Sequence, residues 1–408
     1  MKKIVFILAD AFRYDYVEEY EMDFLKEKIK KEENLYIKKI LPSIGFCEII
    51  EYVSGRKAEE NGFLSQVAFR NTKVFSNIKV LVLLDKLEEI IYKIPKIRSA
   101  YQRYISPKLN TFLQKYIPNE MLRIRYRIPL YFLPHLEPTE SLYEYDSYYF
   151  GKEENLFYKL RKNNYTYDIE DFVKYNKVEG SDLERLERLK NKIKDKKLKD
   201  FTLIYIGYGE LAHFYDNNSN ILKTKMKEFD KEINEINYLL TQNYEEYDFM
   251  ILGDHGMVKV EKYIDIYPIL KKLEKKFKLA KIKDYIYFID STMFRLKLRD
   301  TKLGDEIFLF LKESLKGDLE EKLDEYLFNF HSKYGDIKIL LKPGRVFYPD
   351  FFNVKKVHGM HGFNTEIEEQ AGTFISISSL KEKQENIEKE NLNYIRNYIL
   401  KRINTKEE

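Results

Sequence analysis

The segment FMILGDHGM, residues 249–257, decides the fold prediction. Its first four residues form a continuous apolar run, which is typical of a strand buried on both faces of a parallel sheet. Asp254 and His255 follow this run, and a glycine stands on each side of the pair. Open α/β sheets bind ligands at the carboxyl ends of their strands, so the pair is predicted to lie at a ligand site. Adjacent side chains share one ligand only where the chain turns sharply, and Gly253 and Gly256 give the backbone that freedom.

Three further apolar runs, at 4–8, 203–206 and 373–377, are predicted to be strands of the same sheet. Long charged segments with apolar residues at helical spacing separate them, including 183–198 and 222–240. Strands that alternate with helices indicate parallel pairing with helices on both faces. The sequence therefore predicts an α/β fold with a doubly wound, mostly parallel sheet.

Two stretches break this rhythm within what is otherwise one predicted α/β domain, residues 1–408. Residues 67–180 are rich in Tyr, Lys, Arg and Pro and are predicted to form a cap insertion. Residues 280–357 are predicted to form a smaller β-rich insertion. Its candidate strands are 285–290, 293–298 and 337–341. An amphipathic helix is predicted at 387–403.

Charge and cysteine content limit the class of protein. The 71 basic and 67 acidic side chains leave a net charge of +4, which is near balance and does not indicate a nucleic-acid partner. One cysteine, Cys47, excludes an internal disulfide framework and fits a reducing cytoplasm.

The opening MKKIVFILAD is similar to a signal peptide, but its apolar run is short and an Asp follows it. No run approaches the ~20 apolar residues of a membrane-spanning helix, so we expect a soluble, cytoplasmic protein.

Carboxylates and imidazoles recur at the same predicted edge of the sheet. Asp10 follows the first strand, Glu210 and His213 follow the run at 203–206, and His361 lies shortly before the last strand. Each has a structural alternative, since an Asp often caps a helix and residues three apart are often surface neighbours. Together, however, they are the ligand types that Zn²⁺, Mn²⁺ and Fe favour. Their joint occurrence predicts a metal site.

These motifs, in this order, resemble the alkaline phosphatase superfamily, and within it the type I phosphodiesterase/nucleotide pyrophosphatase branch. The resemblance runs through 1–66 and 200–380 and leaves the predicted cap unmatched. The motifs that carry it are ILADAFRYDYV (7–17), LPSIGFCEIIEYVSGRKAEENGF (41–63), ILGDHGM (251–257) and GMHGFNTEIEEQAGTFI (359–375).

The resemblance implies a site for two divalent cations, with Zn²⁺ expected and Mn²⁺ or Mg²⁺ as alternatives. Two such ions, roughly 4 Å apart, clamp the attacking and leaving oxygens of an in-line displacement. The first ion would be held by Asp10, Asp254 and His255, and the second by His213, His361 and an acidic partner. The family's acidic partner is an Asp at the position of Gly209. Glu210, one residue later and one methylene longer, is expected to replace it.

The nucleophile is the main departure from the family. The family carries a Thr, Ser or modified Cys ten residues before the turn glycine, Gly55, and that position is Gly45 in this chain. Ser43 ranks first as the replacement and Cys47 second, although Ser43 could equally be a turn residue and Cys47 a buried apolar group. A third route is direct attack by a hydroxide that the ions activate, without a covalent intermediate.

The expected activity is metal-dependent hydrolysis of phosphate esters, with phosphodiesters preferred over monoesters and a phosphorylated small molecule as the substrate. Gln66 lies where relatives carry an Asn that steadies a phosphate oxygen, and it is expected to bind substrate. A basic, tyrosine-rich stretch at 96–127 could recognise a polyanion or could be a solvated helix face. Two alternatives remain open: a phosphotransferase acting on a sugar or lipid, and a non-catalytic binding protein that lost its nucleophile at Gly45.

Overall fold

The structure is a computed structural model, and it describes most of the chain in two compact units. The described residues are 2–31, 35–70, 79–92, 104–123, 127–139, 155–170, 180–217, 219–380 and 389–404. The first unit comprises Met1–Leu64, Tyr143–Glu261 and Val357–Glu408, and the second comprises Ser65–Leu142 and Lys262–Lys356.

Strands and helices alternate along much of the chain. The strands are β1 (Lys3–Ala9), β2 (Leu35–Leu41), β3 (Val67–Phe69), β4 (Leu136–Pro138), β5 (Tyr167–Glu170), β6 (Phe201–Ile206), β7 (Tyr247–Leu252), β8 (Val258–Lys259), β9 (Lys262–Ile264), β10 (Tyr285–Asp290), β11 (Met293–Leu298), β12 (Ile337–Leu340), β13 (Arg345–Phe347), β14 (Gly359–Met360), β15 (Gly372–Ser378) and β16 (Lys389–Asn391). The α-helices are α1 (Tyr16–Glu19), α2 (Asp23–Lys31), α3 (Glu48–Ser54), α4 (Ala58–Asn61), α5 (Lys79–Tyr92), α6 (Ser106–Leu113), α7 (Asn119–Arg123), α8 (Leu156–Lys162), α9 (Asp182–Lys194), α10 (Asn220–Asn243), α11 (Tyr267–Phe277), α12 (Gly304–Ser314), α13 (Asp324–Asn329) and α14 (Tyr394–Asn404).

The first unit is built on a seven-stranded sheet in the order β16-β2-β15-β7-β1-β6-β5. β1 pairs in parallel with β6 and β7, whereas β15 is antiparallel to both β2 and β7. The sheet is therefore mostly parallel, and the predicted α/β class is confirmed. Because β15 runs against its neighbours, the chain that leads into it reaches the edge where the parallel strands end.

Both faces of this sheet are covered, which explains its continuous apolar strands. Val5 and Ile7 of β1 pack in one core with helices α9 and α10, and Phe6 and Leu8 pack in the opposite core with α3 and α14. Successive side chains of a strand point to opposite faces, so one strand serves both cores. Burying each such side chain contributes about 1.5–3 kcal/mol.

The sequence missed one central strand and misplaced one helix. β2 was not predicted because Lys38 and Lys39 interrupt its apolar run. In the structure Lys38 is buried and pairs with Glu390 of β16, with Nζ and Oε1 3.4 Å apart. The helix predicted at 387–403 is wrong at its start: residues 389–391 form β16, the helix begins at Tyr394, and residues 387–388 lie outside the described chain.

The second unit contains a three-stranded antiparallel sheet, β10-β11-β12, as the strand predictions at 285–298 and 337–341 require. β3 pairs with β4 and β9 with β13 in the same unit. Described residues 155–170, although part of the predicted cap, belong to the first unit, where β5 pairs with β6. The division into a catalytic domain with two insertions stays a prediction.

In the described part of the chain, no helix combines the length and the apolar character required to traverse a bilayer.

Candidate metal centre

The predicted ligands lie at the carboxyl edge of the sheet in the first unit. Asp10 directly follows β1, and Asp254 and His255 follow β7. A 3-10 helix, Gly209–His213, follows β6 and carries two more predicted ligands. His361 comes directly after β14, which pairs with β8 next to the β7 turn. The topology therefore brings residues that are up to 351 positions apart to one edge.

The turn after β7 depends on close backbone contacts at both glycines. A Cβ at Gly253 would lie 2.0 Å from the carbonyl oxygen of Phe12, and one at Gly256 would lie 2.0 Å from that of Glu369. Any side chain would collide with the neighbouring backbone. Glycine is therefore required at both positions because the neighbouring backbone lies so close. This is a more specific requirement than the conformational freedom of a turn.

One group of candidate ligands consists of Asp10, Asp254 and His255, whose donor atoms all lie within 4.8 Å of one another. Nε2 of His255 is 3.3 Å from Oδ1 of Asp10 and 3.8 Å from Oδ1 of Asp254. All three residues are buried. The hydroxyl of Tyr205 donates to Oδ2 of Asp10 at 2.8 Å, which fixes the orientation of that carboxylate.

The electrostatics of this group fit a cation. Burial acts against the charge on Asp10, but the hydrogen bond and charge of His255 lower the pKa of Asp10 to about 2. Burial raises the pKa of Asp254. Burial would lower the pKa of His255, yet the charge of Asp254 and the hydrogen bond to Asp10 raise it well above its usual value. The two acids thus favour positive charge at the position of the imidazole, where a divalent ion would supply it.

A second group consists of Glu48, His255 and His361, again with donor atoms within 4.8 Å of one another. Oε1 of Glu48 is 3.1 Å from Nδ1 of His361. The ring centroids of His361 and His213 are 5.6 Å apart, so both predicted histidines approach this group. Burial and the positive charges of neighbouring histidines lower the pKa of His213 to about 4 and lower that of His361. Neutral imidazoles are the form that binds metal.

Glu48 was not among the predicted ligands. The sequence motif drew attention to the missing nucleophile at Gly45, three residues earlier, and no local pattern marks Glu48 as a site residue. The signal that could have identified it is its position as the first polar residue after the loop that carries the nucleophile in the family.

Glu210, the predicted acidic partner of the second ion, lies beside Asp10. Much of its side chain is exposed, but desolvation of its carboxyl group and the negative charge of Asp10 raise the pKa of Glu210 well above its usual value. The structure thus brings it to the site. Its role as a ligand stays a prediction.

The candidate nucleophiles are engaged elsewhere. Oγ of Ser43 accepts the backbone N–H of Ala58 at 3.2 Å, at the start of α4. Cys47 is buried against Ile50 and Phe63, as its structural alternative required. The two ligand groups found among the described residues include neither side chain. Both catalytic assignments stay predictions.

Gln66 belongs to the second unit, directly before β3. Its backbone carbonyl accepts the N–H of Thr139 at 2.9 Å, which extends the pairing of β3 and β4. The predicted contact of its side chain with substrate stays a prediction.

The family assignment comes from the sequence profile of type I phosphodiesterase/nucleotide pyrophosphatase, which matches residues 4–364. The chain belongs to this family. Its members are metal-dependent phosphodiesterases and pyrophosphatases, and the chain is a hydrolase of this type. No curated protein sequence matches the chain.

Solved structures of the same fold cover nearly the whole chain. Murine ectonucleotide pyrophosphatase/phosphodiesterase 5, as an inactive variant in complex with AMP, superposes with a TM-score of 0.64 at 13% identity, covering 99% of this chain and 95% of that one. The human protein of the same name gives a TM-score of 0.63 at 13% identity with the same coverage. At this identity the likeness establishes the fold.

Proposed function

We propose that the chain hydrolyses phosphodiesters in preference to phosphomonoesters and that it does so with two divalent cations, Zn²⁺ first among them. The observation that carries the proposal is the cluster of Asp10, Asp254 and His255, three buried residues whose donor atoms all lie within 4.8 Å of one another. Two bound cations would neutralise the phosphate oxygens and attract the attacking oxygen. Asp10, Asp254 and His255 would hold one, and His213, His361 and an acidic partner the other.

The preference for diesters is supported by the charge of the ligand set. Asp10, Asp254 and Glu48 each bring a carboxylate to the site. A diester carries one negative charge at neutral pH, whereas a monoester carries nearly two. Two divalent cations bring four positive charges and these three carboxylates offset three of them, so the one positive charge that is left matches the monoanionic diester.

Of the three routes that the sequence leaves open, we favour direct attack by water. The water oxygen forms a bond to phosphorus as the ester P–O bond breaks; the water proton passes to solvent, and the departing oxygen takes one up. The hydrogen bond from Ala58 to Ser43 and the burial of Cys47 against Ile50 and Phe63 support this choice. Removal of a true nucleophile lowers kcat by as much as ~10⁶-fold, whereas Ser43→Ala and Cys47→Val should stay within about tenfold of the wild type.

Turnover of bis-p-nitrophenyl phosphate and p-nitrophenyl phosphate tests the proposal. The chelator-treated protein should be inactive and should recover with Zn²⁺ or Mn²⁺, with the diester cleaved faster. Asp254→Asn should abolish turnover, while Asp195→Asn, the same change at an exposed helix end, should leave it intact. Added methanol should not become phosphorylated; a phosphorylated alcohol would indicate a covalent intermediate and would favour a phosphotransferase.

A cytoplasmic location stays a prediction that rests on the single cysteine.

A further inference from the structure

In each of the three histidines of the site, Nδ1 contacts an oxygen atom of the chain. Nδ1 of His213 and Nδ1 of His255 each contact a backbone carbonyl, at 2.9 and 2.8 Å. A carbonyl only accepts, so both rings carry their proton on Nδ1 and present Nε2 to the pocket. Nδ1 of His361 instead faces a side chain, with Oε1 of Glu48 3.1 Å away.

We propose that Glu48 is a positioning residue that acts through His361. It accepts the Nδ1 proton of His361 and thereby directs Nε2 toward the second cation, and its charge makes that imidazole a stronger donor. This inference rests on the proposed function, because it concerns the ion at the His361 side of the site. Carboxylates that accept the second N–H of a metal-bound histidine fix the ring and raise its basicity.

The backbone around Gly209 leaves no room for the carboxylate that the family carries there. The family's Asp ligand corresponds to Gly209, where a Cβ would lie 2.3 Å from the carbonyl oxygen of Asp10 and 2.7 Å from that of Ala11. No side chain fits there, so the second ion lacks a negative ligand at that position. Glu48 brings a negative charge to His361, one imidazole away from the second ion.

The surroundings of Glu48 hold it in this orientation. It is the first residue of α3, and only 8% of it is exposed. The next two residues anchor the helix, since Ile49 packs in the core with Tyr52 and Ile50 packs against Cys47. A buried carboxylate is costly unless it is paired with a positive or hydrogen-bonding group. The imidazole of His361 provides that partner.

Long-range ¹H–¹⁵N spectra of the zinc-loaded protein test the arrangement directly. We expect Nδ1 of His361 to carry a proton, as in a pyrrole-type nitrogen, with Nε2 bound to metal. An unprotonated Nδ1 would mean that His361 binds the ion through that atom, or that Glu48 is itself a ligand. Either result would overturn the proposal.

Calorimetric titration of the metal-free protein with Zn²⁺ gives a second readout that does not depend on activity. Glu48→Ala should weaken binding of the ion at His361 about 10- to 100-fold and leave the other ion unchanged. Glu48→Gln should recover part of this loss, because its amide oxygen still accepts the Nδ1 proton. Glu60→Gln, an exposed site on α4, is the matched control.

The outcomes separate the two proposals. Wild-type protein that binds two ions, together with a Glu48→Ala variant of equal affinity, would overturn the role of Glu48 alone. Wild-type protein that binds no cation would overturn the proposed function and, with it, this inference. Circular dichroism of each variant checks that the chain is folded.

Discussion

The imidazole rings of His255 and His361 lie parallel, with centroids 3.7 Å apart and an interplanar angle of 4°. His255 follows a parallel strand, and His361 precedes the one strand of the seven-stranded sheet that runs against its neighbours. Two protonated rings at this distance would repel each other. The pKa of His255 is accordingly raised by Asp254 and Asp10 against the effect of burial, while burial and the charge of His255 lower the pKa of His361. The surroundings therefore favour positive charge on His255 over His361.

A cation that binds this pair should stabilise the fold. A ligand that binds only the native state at 100 times its Kd adds about 2.7 kcal/mol to the free energy of unfolding. Zn²⁺ should therefore raise the Tm of the wild-type protein, measured by differential scanning fluorimetry. His255→Ala should lose this shift. His331→Ala, which removes a histidine of the second unit, should keep it; an equal shift in both variants would contradict a metal site at His255.

Local sequence patterns were sufficient to predict part of this site. Asp254 and His255 were identified because they end an apolar strand, and Asp10 for the same reason. Glu48 was missed because its contact with His361 spans 313 residues and depends on the direction of β15. Likewise, Gly45 and Gly209 were recognisable as departures from the family, but the reason for them, a collision with neighbouring carbonyls, exists only in the folded chain.

Restoring the family's nucleophile at Gly45 should damage the protein. Gly45 has a φ of +108°, and a Cβ there would lie 2.0 Å from the carbonyl oxygen of Leu64. Gly45→Thr should lower the Tm strongly and should yield no gain in phosphodiester turnover. Overpacking of a tight site typically costs about 1–3 kcal/mol, and the strained backbone adds to that.

Gly62→Ala is the matched control for Gly45→Ala, which adds only the Cβ of the Thr variant. Gly62 also has a positive φ, +77°, but nothing lies within 4 Å of its added Cβ. Its loss of stability should therefore reflect backbone strain alone, about 1–2 kcal/mol, and should be clearly smaller than that of Gly45→Ala. Equal losses would show that the contact with Leu64 is unimportant.

The stability of the first unit should fall as the pH rises, because of Glu51. This carboxyl group is only 2% exposed and accepts the backbone N–H of Ser43 at 3.0 Å, and burial raises its pKa to about 8. Between the pKa of an unfolded Glu, about 4.3, and pH 8 the native state holds a proton that the unfolded state has released. Unfolding then becomes more favourable with each unit of pH.

Glu51→Gln should remove this dependence. Its amide oxygen can still accept the Ser43 N–H, and it carries no charge to desolvate. The variant should match the wild type at about pH 4 and should have the higher Tm at pH 8–9, measured across a pH series. Glu60→Gln, at an exposed position of α4, should follow the wild-type profile. A Glu51→Gln profile that coincides with the wild type would mean that Glu51 ionises normally.

The second unit should depend on one buried ion pair. Nε of Arg295 donates to Oδ2 of Asp290 at 2.6 Å, and Oγ of Ser65 bridges the two groups; none of the three side chains is exposed. Asp290→Asn leaves the guanidinium buried without a counter-charge, which typically costs about 3–5 kcal/mol. Urea unfolding should show this loss. Glu313→Gln, which breaks an exposed pair with Lys316, should cost at most about 1 kcal/mol. A small loss for Asp290→Asn would show that the neighbouring rings of Phe288 and Tyr334, over which the guanidinium lies, stabilise Arg295 without the carboxylate.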